Sequence, residues 1–119
     1  GEVVRVGSPQ GRFADGAGQV DGARLVDADA WGKQLFIRFD DERFVHVHLG
    51  LYGHFDVYDD EPAVPEPVGQ VRMRIVRPAR GERGPAWADL RGATRCALVT
   101  TEQRDAVVDR IGPDPATFC

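Results

Sequence analysis

Three patterns with side chains suited to chemistry lie within residues 30–55, "AWGKQLFIRFDDERFVHVHLGLYGHF". Lys33 is the only lysine in a chain with 14 arginines, so its residue type is a specific choice rather than one of many surface charges. A lysine ammonium is a compact point charge on a flexible stem, able to meet a phosphate or, deprotonated, to attack an aldehyde carbon; at a strand end it is also an ordinary surface charge. His46 and His48 stand two residues apart, so on a strand both project from one face, where a metal could bridge them. Such a site needs a third ligand. His54, Asp56 and Glu66 are available in sequence, but nothing fixes them nearby, and a histidine pair is also a common polar strand face. In "HLGLYG", Gly50 and Gly53 bracket Leu51 and Tyr52, which places two large apolar residues at a tight turn. The turn either folds back on the core or acts as a wedge that inserts into a partner such as a base stack.

These residues need strands to position them, and the pattern around them has period two. In "QLFIRF", Leu35, Ile37 and Phe39 share one face, with Phe36 and Arg38 on the other; "DDER" supplies a turn. In "FVHVHL", Val45, Val47 and Leu49 oppose Phe44, His46 and His48. "GQVRMRIV" places Val71, Met73 and Ile75 inward, and a last strand is expected through "RCALVT". "DDEPAVPEP" and "RPARGERGPA" cannot extend a ladder, because proline lacks an amide donor, and are expected as loops. Thr100 and Gln103 form a capping-box pair before Ala106, Val107 and Ile111, with "GPDP" as the stop, which predicts one short helix. The expected fold is mainly β: an antiparallel β-sandwich with a short C-terminal helix, in one domain spanning residues 1–119.

A hydrophobic content of 42% supports one compact core. No apolar run approaches the length of a membrane span and no secretion leader is visible, so a cytoplasmic location without membrane contact is expected. Cys96 and Cys119 form neither a disulfide framework nor a paired-cysteine zinc motif. The net charge of −4 counts against a nucleic-acid partner, but charge is unevenly spread. From Gln70 to Cys96 seven arginines face two carboxylates, whereas Asp56 to Glu66 holds five carboxylates and no base.

Taken in order, "SPQGRFADGA", "WGKQLFIRF", "VHVHLGLYGHF", "PEPVGQVRMRIV", "DLRG" and "GPDP" resemble the N-terminal domain of the formamidopyrimidine-DNA glycosylase/endonuclease VIII family, nearest to its endonuclease VIII-like actinobacterial branch. The resemblance covers essentially the whole chain. It implies a bifunctional DNA glycosylase with abasic-site lyase activity that excises oxidised bases in base excision repair, acting on double-stranded DNA in the bacterial nucleoid. By resemblance, Lys33 is the lysine that contacts phosphate near the lesion and assists catalysis, and His48 is a phosphate contact. Leu51 and Tyr52 resemble the residues that fill the stack when a nucleotide is turned out. Arg91 occupies a position similar to an arginine on a second DNA-facing loop, although the family's Arg-Arg-Phe form is absent.

The family's nucleophile is an N-terminal proline followed by a catalytic glutamate and a helix. Gly1-Glu2 does not match that pair, and the residues after it have the pattern of a strand. The first helix, the helix-two-turn-helix and the C-terminal zinc finger of the family are likewise unmatched. The resemblance therefore implies a fragment of a larger glycosylase, inactive by itself and without a cofactor, zinc being expected in the finger of the longer proteins. A monomeric parent and a self-associating fragment are further expectations. Two other readings follow from the residues alone: a non-catalytic DNA-binding β-domain, and a small metal-dependent sandwich enzyme using His46 and His48, which elemental analysis showing no stoichiometric metal would remove.

Overall fold

The computed structural model describes residues 2–40 and 42–111. Gly1, Asp41 of the expected turn, the closing "GPDP" and Cys119 lie outside the described residues. The elements run β1 (Glu2–Val3), β2 (Arg5–Gly7), α1 (Ala14–Val20), β3 (Arg24–Trp31), β4 (Gln34–Phe39), β5 (Phe44–His48), β6 (His54–Tyr58), β7 (Met73–Arg77), β8 (Ala86–Arg91), β9 (Arg95–Val99) and α2 (Thr101–Ile111). The strands form two antiparallel sheets, ordered β1-β3-β4-β5-β9 and β2-β7-β8-β6. Val4, buried between β1 and β2, is where the chain crosses from one sheet to the other.

The alternation in β4, β5 and β7 sorts residues as the sequence predicts. Ile37, Phe39, Val45, Val47, Met73 and Ile75 lie in the core between the sheets, together with Leu90. On the outer face of the first sheet, Trp31, Phe36, Phe44 and Val99 form a second cluster, covered in part by Val107 and Val108 of α2. Helix α2 begins with the reciprocal cap expected of Thr100 and Gln103: the Thr100 amide donates to Gln103 Oε1 at 2.9 Å, and the Gln103 amide donates to Thr100 Oγ1 at 3.2 Å.

Helix α1 is an addition to the one helix expected. Its seven residues include Gly16 and Gly18 and carry no side-chain cap, so neither propensity nor capping announces it. Packing sustains it: Phe13, Ala17 and Val20 are buried in the core between the sheets, and Gly16 lies so close to the Phe13 ring that a Cβ there would sit 2.3 Å from it. Asp21, just beyond the helix, accepts from the Val6 amide and from Arg5 Nε at 2.7 Å, and these bonds hold its carboxyl below the usual carboxylate range. The segment "SPQGRFADGA" is thus the approach to a helix plugged into one side of the sandwich.

Strands β3, β6 and β8 were not singled out from the sequence. Each carries acidic residues or alanines that blur alternation; β3 forms by pairing with the more regular β4 and β8 with β7, and β6 then adds to the free edge of β8.

Candidate functional site

Three turns meet at one end of the sandwich. Between β3 and β4, Gly32 and Lys33 form a two-residue turn closed by the Trp31–Gln34 pair, with Gly32 at φ 63°. Such a turn requires a residue with positive φ, which glycine supplies without steric cost. Lys33 is exposed, has no ion-pair partner among the described residues, and lends its carbonyl to the Leu49 amide at 2.9 Å. That bond ties the lysine turn to the β5–β6 turn, where Leu51 and Tyr52 are each 83% exposed.

The Leu-Tyr tip is held by its own backbone. The Gly53 amide donates to the Leu49 carbonyl at 2.9 Å, and a Cβ on Gly53 would lie 2.2 Å from that same oxygen. The β8–β9 turn braces the tip from the side: Thr94 donates to the His48 carbonyl through both its amide and its hydroxyl, at 2.9 and 3.0 Å. Gly92 comes so close to the Tyr52 carbonyl that a Cβ would lie 2.8 Å from it. Leu51 and Tyr52 thus do not fold back on the core. They project from a turn fixed on both flanks.

Arg91 reaches the same end from the second sheet, where His54 pairs with it across the strands. Its Nε donates to Asp56 Oδ2 at 3.1 Å and its Nη1 to the Val68 carbonyl at 2.7 Å, so it ties β6 and the proline-rich loop to β8. Most of the arginine-rich segment is engaged in the same way. Arg74 lies in a bidentate pair with Asp89, which is only 3% exposed. Arg77 and Arg83 bind Asp59, and Arg80 binds Glu2. Asp56 and Asp59 of the acidic run thus pair with Arg91, Arg77 and Arg83 of the basic run, and Arg83 beside Asp59 lowers the pKa of that carboxyl.

His46 and His48 do project from one face, but not as a metal pair. His46 is 4% exposed, stacks on Phe36 at 4.7 Å, and uses both ring nitrogens: Nε2 meets Gln34 Oε1 at 2.6 Å and Nδ1 meets Arg95 Nε at 3.1 Å. Burial above all, then the charge of Arg95, lowers its pKa to about 4, so the ring is neutral near pH 7. Among the described residues no group of three His, Cys, Asp or Glu could hold a metal ion. Burial also pushes the Cys96 thiol up to about 12, which leaves it unreactive.

The strand register reveals residues that the sequence left unmarked. Trp31 pairs with Gln34, Gln34 with His48 and His48 with Arg95, so these four form one row across β3, β4, β5 and β9 on the outer face of the sheet. Gln34 is adjacent to Lys33 in sequence, which is the only signal that pointed toward it. Arg95 becomes visible only once β9 is set beside β5.

Comparison with known proteins agrees with this architecture. Residues 2–96 match the Formamidopyrimidine-DNA glycosylase N-terminal domain family. The proteins named Endonuclease 8 1 of Mycobacterium bovis and of Mycobacterium tuberculosis are each 47% identical over 117 residues, covering 97% of this chain. This chain spans 41% of the length of those relatives. A structure of Lactococcus lactis formamido-pyrimidine DNA glycosylase bound non-covalently to DNA containing an AP site superposes with a TM-score of 0.65 at 12% identity, covering 92% of this chain and 42% of that one. A structure of MutM with DNA containing carbocyclic 8-oxo-G gives a TM-score of 0.63 at 13% identity, over 89% and 39% of the two chains. With the two-sheet sandwich, the ordered motifs and this sequence identity in agreement, the chain belongs to the formamidopyrimidine-DNA glycosylase N-terminal domain family.

Proposed function

We propose that these residues are one β-sandwich domain of a longer bacterial DNA glycosylase with abasic-site lyase activity, and that the turn-bearing end of the sandwich faces damaged double-stranded DNA. The observation that carries this reading is the fixed Leu51-Tyr52 tip beside Lys33 and His48. Large apolar side chains held out in water are costly unless a partner covers them, and a vacated base stack offers a dry slot of matching size. Lys33 and His48 then meet the phosphates that flank the slot, while Arg91 holds the neighbouring loop in register.

The lyase chemistry needs an amine. Attack on C1′ of the turned-out nucleotide expels the base and leaves an imine, which makes the adjacent proton acidic enough for elimination to cut the strand. Glu2 cannot act as the partner acid at this end: it pairs with Leu25, six residues along β3 from Trp31, which at ~3.3 Å per residue is about 20 Å away. The amine is assigned to a proline outside these residues, and Lys33 to a supporting role on phosphate.

Borohydride trapping tests the assignment. The longer protein on a duplex with one abasic site is expected to give a covalent adduct, retained in Lys33→Ala at a reduced rate and absent from the 119-residue chain. An adduct lost altogether in Lys33→Ala would make Lys33 the nucleophile. No adduct from the longer protein would leave a non-catalytic DNA-binding β-domain as the account.

A further inference from the structure

The hydrogen-bond chain around His46 fixes more than one histidine. An arginine Nε can only donate, so His46 Nδ1 must accept, and the single proton of the neutral ring must sit on Nε2. Nε2 therefore donates to its partner on Gln34, and that partner atom must be the amide oxygen. The Gln34 amino group is then turned away from His46. Neither it, nor the Arg95 Nη groups, nor the Arg110 guanidinium has a hydrogen-bond or ion-pair partner among the described residues.

These unpartnered donors converge. Gln34, His46, Arg95 and Arg110 line a recess of about 560 Å³ between the outer face of the sheet and α2, with Val107 as its apolar wall. Unlike Arg74, Arg77, Arg83 and Arg91, the two arginines here have no ion-pair partner among the described residues. A recess lined by donors and positive charge fits an oxyanion, and guanidinium groups match the geometry of phosphate. Its position is equally specific, because Gln34 and Arg95 are the cross-strand neighbours of His48 on either side.

We infer that Gln34, His48 and Arg95, with Arg110 facing them from α2, form a phosphate-binding row that receives a DNA backbone phosphate beyond the Leu51-Tyr52 turn, and that His46 is the positioning residue that aims its donors. This rests on the DNA-facing reading above and extends the contact surface from the tip onto the sheet face. His46 does not touch the phosphate. It holds Gln34 and Arg95 in the orientation that presents N–H groups outward.

Two measurements on the 119-residue chain separate this inference from the reading beneath it. In the first, the Gln34 side-chain amide and Arg95 Nε–H are followed by NMR while inorganic phosphate replaces chloride at constant ionic strength. A saturable shift is expected in the wild type, abolished in Arg95→Gln and weakened in His46→Phe, which keeps the stack on Phe36 but loses both bonds. Absence of a saturable shift in the wild type overturns the site. In the second, duplex DNA is titrated over a range of salt concentrations. Arg95→Gln is expected to weaken binding about threefold to tenfold and to lower the slope of log affinity against log salt by about 1, with partial rescue in Arg95→Lys. A wild-type slope in both Arg95→Gln and Arg110→Gln would leave DNA binding intact and remove this row from it. Phosphate binding without DNA binding would contradict the DNA-facing reading instead, and with it the assignment of the phosphate to DNA.

Discussion

At the scale of single residues, the buried charges make the sharpest predictions. Asp89 lies inside the second sheet with both its oxygens on Arg74. Asp89→Asn leaves a guanidinium largely buried without its anion and is expected to cost about 3–5 kcal/mol, read from urea unfolding; a loss below 1 kcal/mol would show that the pair is dispensable. His46 gives stability a pH dependence. Its folded pKa is near 4, lowered by burial and by the charges of Arg95, His48 and Arg110, whereas an unfolded histidine titrates near 6.5. Between these values the unfolded chain binds a proton that the folded chain refuses, so the full contribution is present above pH 6.5 and is lost as pH falls toward 4. By pH 5 the loss amounts to roughly 2 kcal/mol. Urea midpoints at pH 7.5 and pH 5 are expected to differ more in the wild type than in His46→Phe, and equal differences would contradict the assignment. The histidine pair itself was legible in the sequence, but its role was not. Which nitrogen meets which neighbour depends on Gln34 and Arg95, which are 12 and 49 residues away along the chain.

At the scale of elements, the site depends on turns rather than on strands. Gly53 has no room for a side chain beside the Leu49 carbonyl, and Gly92 has little beside that of Tyr52. Gly53→Ala forces the β5–β6 turn to open and is expected to cost about 1–3 kcal/mol, with the tip amides losing protection in hydrogen exchange while the β4 and β5 amides keep theirs. Uniform loss of protection would instead mean that the turn and the sheet unfold together. The glycines bracketing Leu51 and Tyr52 could be read from the sequence as a turn, and the period-two runs as β4, β5 and β7. Helix α1 could not, because its residues favour it weakly and only the burial of Phe13, Ala17 and Val20 sustains it. The row of Gln34, His48 and Arg95 was hidden for a related reason: strand register is a tertiary fact, and each residue alone is an ordinary polar strand position.

At the scale of the whole molecule, charge is organised by position. The net charge of −4 and the excess of arginine after Gln70 point in opposite directions when read along the chain. The fold resolves this by pairing Arg77, Arg80 and Arg83 with Glu2 and Asp59 at the end of the sandwich away from Lys33, whereas Lys33, Arg95 and Arg110 have no ion-pair partner among the described residues. Replacing Arg80 and Arg83 by Gln is therefore expected to leave DNA affinity unchanged within about twofold by anisotropy, and a tenfold loss would place DNA at the opposite end. Among the described residues no helix is long and apolar enough to cross a membrane.

The measurement that tests the central claim most directly is the binding preference of the chain for a duplex with one abasic site over the same duplex intact, in the wild type and in Leu51→Ala/Tyr52→Ala. Both side chains are exposed, so the double variant is expected to keep its melting temperature. Base-aromatic stacking of about 1–3 kcal/mol corresponds to a preference of roughly fivefold to a hundredfold. The account predicts that preference in the wild type and its loss in the variant; equal affinity for the two duplexes in both proteins would contradict it.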